Sequence, residues 1–95
     1  MAQPLSETEI KEALNSLEGW ESGDNTIKKE FKFKDFSEAL GFIVRVGVAA
    51  EKQVHHPHLF NVYNTVNIEL STHDAGDKVT QKDVDLAKAI ESITS

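Results

Sequence analysis

Two stretches of the sequence alternate between apolar and polar residues with a period of two, and this alternation constrains the fold most strongly. Between residues 26 and 34, the apolar and charged side chains fall on opposite parities: Ile27, Phe31 and Phe33 against Lys28, Glu30, Lys32 and Lys34. Between residues 66 and 71 the pattern returns: Val66, Ile68 and Leu70 against Asn67, Glu69 and Ser71. Successive side chains of a strand point to opposite faces, so each stretch predicts a strand with one buried face. Helices must then cover a single face of the sheet.

Turn-forming residues give each of these strands a hairpin partner. The cluster Ser22-Gly23-Asp24-Asn25 follows a short strand at residues 20–21 and precedes the strand at 26–34. A tight turn at Tyr63-Asn64 separates a short strand beginning at Leu59 from a longer one. The sequence therefore predicts four strands arranged as two hairpins.

Three segments carry helix-start signals. Residues 6–9 have the Ser-x-x-Glu form of a capping box, and residues 35–38 repeat a cap followed by Glu. Residues 80–83, Thr-Gln-Lys-Asp, cap a last helix. Apolar residues recur at helical spacing in the first and last helices: Ile10, Ala13, Leu14 and Leu17, then Val84, Leu86, Ala87, Ile90 and Ile93. Gly19 is placed to end the first helix in a left-handed conformation. The order α-β-β-α-β-β-α predicts a two-layer α+β fold.

The second predicted helix, from residue 35 to about Gln53 or Val54, is apolar nearly all round. Its expected core stripe and a second apolar stripe lie at neighbouring angles: Phe36, Leu40, Ile43, Gly47 and Ala50 for the core, and Phe42, Val46 and Ala49 for the second. A helix of this kind is normally buried on both sides. We therefore expect the second stripe to contact another copy in a homodimer or homotetramer. A membrane-surface helix is the alternative, and it fits poorly because Arg45 is the lone basic residue between Asp35 and Glu51.

Size and charge narrow the possible functions. With 95 residues, the chain predicts one domain, residues 1–95. A formal charge of −6 argues against direct nucleic-acid binding, because such binding needs a basic face. The lack of cysteine excludes disulfides and thiolate nucleophiles. Residues 1–6 lack the basic and apolar segments typical of a secretory signal, and no later apolar run approaches the ~20 residues that span a bilayer. We expect a cytoplasmic protein without a membrane partner.

All four histidines fall in two short segments, residues 51–58 and 71–74. Histidine is the side chain whose ordinary pKa, ~6.5, lets it exchange a proton near neutral pH. The proline that follows His56 biases it toward an extended conformation, which predicts a helix-to-strand junction. His55 and His56 then adjoin the end of the second helix, while His73 follows the last strand. If these ends meet at one edge of the sheet, three imidazoles line one cleft.

The histidine cluster supports three interpretations. One neutral imidazole acting as a base and one protonated imidazole acting as an acid suit an elimination of water, or its reverse. Alternatively, His56, His58 and His73, with Glu51 and Asp74 nearby, could bind zinc. The histidines could also be surface residues without a function. Spacing alone leaves all three interpretations open.

A resemblance to a known family favours the first interpretation. Residues 50–66, AEKQVHHPHLFNVYNTV, followed by Leu70-Ser71-Thr72-His73, closely resemble the signature of the pterin-4a-carbinolamine dehydratases. Similarity extends over nearly the whole chain: Gly19-Trp20, residues 31–36, Gly41-Phe42, Arg45-Val46 and residues 83–87. The resemblance implies a four-stranded antiparallel sheet with three helices on one face, in a dimer or tetramer. It also implies dehydration of 4a-hydroxytetrahydrobiopterin, or a related pterin, to the quinonoid dihydropterin, without a metal or other cofactor, in pterin regeneration.

The resemblance also implies roles for individual residues. His55 and His73 match the acid/base histidines, and His56 matches the histidine that holds the pterin and completes the catalytic set. The implied substrate contacts are these three histidines and four neighbours: Val54, Ser71, Thr72 and Asp74. Glu51 and Asp83 are expected behind them, as supporting groups. His58 matches no functional position.

The family resemblance leaves a second function open. Some members are similar to adaptor proteins that stabilise dimers of a homeodomain transcription factor. A protein-binding module that works through the apolar second helix is therefore the alternative to a dehydratase.

Overall fold

The structure is a computed structural model that describes residues 3–94, so residues 1, 2 and 95 of the predicted domain lie outside the described part. The elements in chain order are α1 (Glu7–Leu14), β1 (Glu21–Ser22), β2 (Ile27–Lys32), α2 (Phe36–Gln53), β3 (His58–Val62), β4 (Thr65–Leu70), a 3-10 turn (His73–Ala75) and α3 (Gln81–Thr94). The strands form one antiparallel sheet in the order β1-β2-β4-β3. The predicted α+β fold and the predicted order of elements are confirmed.

The alternation in β2 and β4 builds the core as predicted. Ile27 lies opposite Leu70 and Phe31 opposite Val66, and all four side chains are buried on one face. The charged residues of the other parity are exposed: Lys28, Glu30, Lys32 and Glu69. The buried faces of α2 and α3 cover the apolar side of the sheet: Ala39, Phe42, Val46 and Ala50 of α2 and Val84, Leu86, Ala87 and Ile90 of α3. The prediction that helices cover a single face is therefore confirmed.

The first helix is shorter than predicted. The capping box at Ser6 forms as expected, but α1 ends at Leu14, and Leu17 is buried after the helix rather than within it. The hydroxyl of Ser16 donates to the carbonyl of Ala13 at 3.0 Å, a bond that competes with helix continuation. Gly19 does adopt a left-handed conformation, with φ 85°, but it does so in the turn that leads into β1.

The predicted assignment of the two stripes of α2 is wrong for four large side chains, whereas Ala50, expected in the core, is buried there. Phe42 and Val46, expected to face another copy, are 1% and 0% exposed. Phe36 and Leu40, expected in the core, are 46% and 43% exposed. The rings of Phe31 and Phe33 decide the rotation of the helix, because their centroids lie 4.9 and 4.8 Å from that of Phe42. Contact of Phe42 with these two rings therefore places its face of α2 against the sheet.

The exposed stripe of α2 consists of the four apolar residues Phe36, Leu40, Val44 and Val48. These residues repeat every four positions, so they form one ridge along the helix. Although α2 is apolar, no helix within residues 3–94 is long and apolar enough to cross a membrane.

The backbone at the end of α2 directs the chain toward the cleft. Val54 caps the helix in a left-handed conformation, with φ 50°, and the amide of His55 donates to the carbonyl of Ala50 at 3.1 Å. The chain then turns into β3, so the predicted junction at the His-His-Pro segment is confirmed. A tight turn with Tyr63 at φ 49° returns it to β4, whose end lies beside the histidines.

Candidate active site

The end of α2, the start of β3 and the segment after β4 meet around a cleft of about 350 Å³. The cleft is lined by seven residues that the sequence singles out for catalysis or substrate contact: Val54, His55, His56, Ser71, Thr72, His73 and Asp74. His58, Asp77 and Lys82 complete the lining. The three imidazoles expected in one cleft are therefore found together.

His55 is the buried histidine of the cleft, with an overall exposure of 8%. Its Nε2 lies 2.5 Å from Oδ1 of Asp83, a carboxylate that is fully buried. The hydroxyl of Thr72 and the amide of Thr80 each donate to the other oxygen of Asp83 at 2.9 Å. A buried carboxylate needs such partners, because an unpaired charge in the interior is costly. His55 is thus fixed in one orientation by a fully hydrogen-bonded network.

His73 stands in the opposite kind of environment, with its side chain 90% exposed. Its Nδ1 lies 2.8 Å from Oδ1 of Asp77 within the loop that follows β4. The hydrogen bond to Asp77 raises the pKa of His73 above its ordinary value, and the negative charges of Asp77 and Asp74 raise it further. These carboxylates favour the protonated form, which suits His73 to donate a proton.

His56 and Glu51 form a second exposed pair. Nε2 of His56 lies 2.5 Å from Oε1 of Glu51, with 62% and 77% of their side chains exposed. Glu51 and Asp83 do not line the cleft themselves; each contacts a histidine that does. Their expected places behind the histidines match this arrangement.

Some residues of the site were not identified from the sequence. Asp77 pairs with His73, Thr80 joins the network of Asp83, and Lys82 lines the cleft. Asp77 follows His73 by four residues, a spacing that could have suggested the pair. Thr72 lies in the cleft wall as expected, but its hydroxyl is turned inward to Asp83.

Alternative sites on the protein are chemically poorer. Within residues 3–94, no group of three or more His, Cys, Asp or Glu residues is arranged to hold a metal ion. A larger hollow of about 590 Å³ lies on the outer face of the sheet, lined in part by Lys28, Glu30, Phe60 and Asn67. It contains no histidine, so proton transfer near neutral pH points to the smaller cleft.

Fold and cleft together define a small α+β protein with imidazoles gathered at one edge of its sheet. The model of a family described as pterin 4 alpha carbinolamine dehydratase matches residues 3–93. The chain therefore belongs to the pterin 4 alpha carbinolamine dehydratase family, which is named for a hydro-lyase activity, and the resemblance seen in the sequence is confirmed.

Individual relatives agree with this membership. A protein of Nitrobacter hamburgensis whose description carries the name of this family is 48% identical, covering 98% of this chain and 93% of the relative. The crystal structure of a transcriptional coactivator/pterin dehydratase from Brucella melitensis has a TM-score of 0.92 at 42% identity, covering 98% of this chain and 100% of that one. A pterin dehydratase-like RuBisCO assembly factor of the alpha-carboxysome has a TM-score of 0.67 at 19% identity, covering 81% and 90%, and so shares the fold alone.

Proposed function

We propose that this protein dehydrates 4a-hydroxytetrahydrobiopterin, or a closely related pterin, to the quinonoid dihydropterin and water, as a step of pterin regeneration in the cytoplasm. The observation that carries the proposal is the pair of histidines with contrasting surroundings in one cleft. His55 is buried against Asp83, and His73 is exposed beside Asp77, which favours its protonated form. Membership of the dehydratase family supports the same reaction.

The two histidines divide the proton transfers of the elimination. The free ring nitrogen of His55 takes the proton from N5 of the pterin, and protonated His73 gives a proton to the hydroxyl on C4a. The C4a–O bond breaks, the electron pair of the N5–H bond forms the C4a=N5 double bond, and water leaves. Each positioned proton transfer typically contributes ~10²- to 10⁴-fold in rate. Exchange of one proton with solvent restores both histidines.

The remaining residues hold the substrate. His56, kept in place by Glu51, lies beside His55 and is assigned to pterin binding. Asp74 offers a carboxylate that can accept hydrogen bonds from the amino group and ring N–H of a pterin. Val54 gives the cleft an apolar wall and Ser71 a polar one. Thr72 forms part of the same wall beside Ser71.

A turnover assay tests the proposed reaction. A synthetic 4a-hydroxytetrahydropterin is mixed with the protein, and the formation of the quinonoid product is followed by absorbance against the uncatalysed rate. We expect catalysis that survives treatment with a chelator, since the proton transfers are assigned to imidazoles. A rate equal to that of buffer contradicts the proposal, and loss of stoichiometric zinc together with activity favours a metal site instead.

The exposed stripe of α2 supports a second role, contact with another protein chain. Large apolar side chains aligned along one helix are typical of protein interfaces. We propose that the stripe joins copies of this chain into a homodimer or homotetramer. Binding of a transcription-factor partner is a second use of the same surface. The Brucella relative, described as a transcriptional coactivator as well as a dehydratase, supports that possibility by similarity.

Val44→Glu tests the assembly. Val44 is 65% exposed, so a charge there should break up an assembly while leaving the secondary structure unchanged. Light scattering measures particle size and circular dichroism measures the fold. Val46→Glu is the contrasting variant: because Val46 is fully buried, it should unfold the protein. A wild-type protein that is already monomeric contradicts the proposal.

A further inference from the structure

Asp83 takes part in two local structures at once. The amide of Thr80 donates to Oδ2 of Asp83 at 2.9 Å, and the amide of Lys82 donates to the hydroxyl oxygen of Thr80 at 3.2 Å. Thr80 thus caps the first turn of α3 through Lys82, while Asp83, at the third position of the helix, accepts from the amide of the capping residue. The other oxygen of Asp83 contacts Nε2 of His55. One buried carboxylate therefore links the first turn of α3 to the histidine proposed as the base.

The donors around Asp83 indicate the directions of the hydrogen bonds in this network. The amide of Thr80 can only donate, and the hydroxyl of Thr72 donates to Asp83 at 2.9 Å. With its proton used there, Thr72 accepts from the hydroxyl of Thr80, 2.7 Å away. Asp83 is thus an acceptor toward each threonine, and the dipole at the start of α3 favours a carboxylate in this place. An ionised carboxylate has no proton to give, so Nε2 of His55 must carry the hydrogen of their bond.

The second ring nitrogen of His55 faces the cleft. Within the part of the chain that the structure describes, no fully buried side-chain nitrogen or oxygen lacks a hydrogen-bond partner. Nδ1 of His55 has no hydrogen-bond partner among residues 3–94, so it is not fully buried, and His55 lines the cleft. In a neutral imidazole one nitrogen donates while the other accepts. With the hydrogen on Nε2, the lone pair of Nδ1 is presented to a substrate.

We propose that Asp83 is a positioning residue that holds neutral His55 in the tautomer protonated at Nε2, so that Nδ1 is the atom that accepts the substrate proton. The inference rests on the proposed function and adds the identity of the reacting nitrogen. Asp83 does not touch the substrate; it acts through His55. The same carboxylate faces the imidazolium that forms when Nδ1 is protonated, so it also stabilises that product of proton transfer.

Asp83→Asn tests the proposal because it changes the hydrogen bonding while keeping the size of the side chain. The amide oxygen of Asn can still accept from Thr80, which turns its NH₂ group toward His55. Nε2 must then accept, and the ring proton moves to Nδ1. We expect ¹⁵N–¹H correlation spectra of the histidine ring to show Nε2–H in the wild type and Nδ1–H in the variant. We also expect kcat to fall by ~10²- to 10⁴-fold, with KM changed less.

Asp85→Asn is the matched control. Asp85 lies two residues along α3, is exposed and bonds to Gln81, so the variant removes the same charge without touching His55. It should keep the wild-type tautomer and rate. The wild-type spectrum alone overturns the proposal if His55 carries its hydrogen on Nδ1, even if Asp83→Asn does not fold. A variant that switches tautomer and keeps its kcat also overturns it. A wild type that is inactive but has Nε2–H contradicts the dehydratase function and leaves the tautomer assignment standing.

Discussion

The two histidines proposed for proton transfer come from segments of the cleft with contrasting structures. His55 follows α2 and is buried in a network with Asp83, Thr72 and Thr80. His73 follows β4 and lies in solvent beside Asp77. Burial and hydrogen bonding fix the orientation of His55. An exposed pair fixes geometry less firmly, but its carboxylate still shifts the charge state of His73. In the proposed reaction, the segment of His55 therefore determines which atom accepts a proton, and the segment of His73 determines the pH range in which a proton is available.

The largest expected effects come from replacing the two histidines, and the loss of protein stability should differ between them. His55→Ala should lower kcat by ~10²- to 10⁴-fold. It should also lower the free energy of unfolding by about 1–3 kcal/mol, because Asp83 loses a partner in the interior. His73→Ala should lower kcat to a similar degree and leave the unfolding free energy nearly unchanged, because exposed ion pairs contribute little. Steady-state kinetics and urea denaturation measure the two effects.

His55→Gln is the control for this difference. Its amide can donate to Asp83, so it should recover much of the lost stability without recovering proton transfer. Equal losses of stability in His55→Ala and His73→Ala would contradict the contrast between a buried and an exposed histidine. A double variant of both histidines should lose more activity than either single variant if one can partly replace the other.

The second prediction concerns the pH dependence of the exposed segment. Asp77 raises the pKa of His73, so protonated His73 persists to higher pH than it otherwise would. Asp77→Asn removes the hydrogen bond to a carboxylate and its charge, so the pKa of His73 should fall. The loss of activity on the alkaline side should then move to lower pH. NMR titration of the His73 ring and a pH–rate profile measure both shifts.

Salt and a distant charge serve as controls for the pH shift. Because the pair is exposed, high salt should weaken the Coulombic part of the effect in the wild type. Glu12→Gln, which removes one exposed charge from α1, should leave the profile unchanged. An Asp77→Asn profile identical to the wild-type profile would show that His73 is not the acid, or that Asp77 does not control it.

The sequence predicted the fold well where a pattern has one solution. The parity of Ile27 and Phe31 allows one buried face of β2, and the observed burial agrees. The rotation of α2 could not be predicted in this way, because Leu40 and Phe42 are both apolar and either face could be buried. Only the position of the rings from β2 and the segment after it decides for Phe42. Local spacing therefore predicts the buried face of a strand better than the buried face of a helix that is apolar all round.

The same limit explains which parts of the site were predicted. The grouping of His55 and His73 follows from the ends of α2 and β4 meeting at one edge of the sheet. The contact between His55 and Asp83 joins residues 28 positions apart, so no local spacing indicates it. Asp83 was expected as a support by family resemblance, and residues 80–83 were expected to cap α3. That one carboxylate contacts both His55 and the cap appears only in three dimensions.

The smallest expected effect belongs to His58, which lines the same cleft. His55, His56 and His73 each contact a carboxylate, whereas His58 forms no such pair within residues 3–94, although Glu69 is its neighbour on β4. Without a carboxylate to orient it or stabilise its charge, His58 lacks the feature that the other three share. His58→Ala should therefore change kcat and KM by no more than about twofold, the range of a neutral surface substitution.

His56→Ala is the informative comparison for this last variant, because the two histidines flank the same proline. Loss of the imidazole paired with Glu51 should raise KM as well as lower kcat, since His56 is assigned to holding the pterin. If His58→Ala proves as damaging as His73→Ala, a carboxylate partner is not what distinguishes the working histidines. A metal bound jointly by His56, His58 and His73 then becomes the better account of the cleft. Metal analysis of the purified wild type and of His58→Ala would decide it.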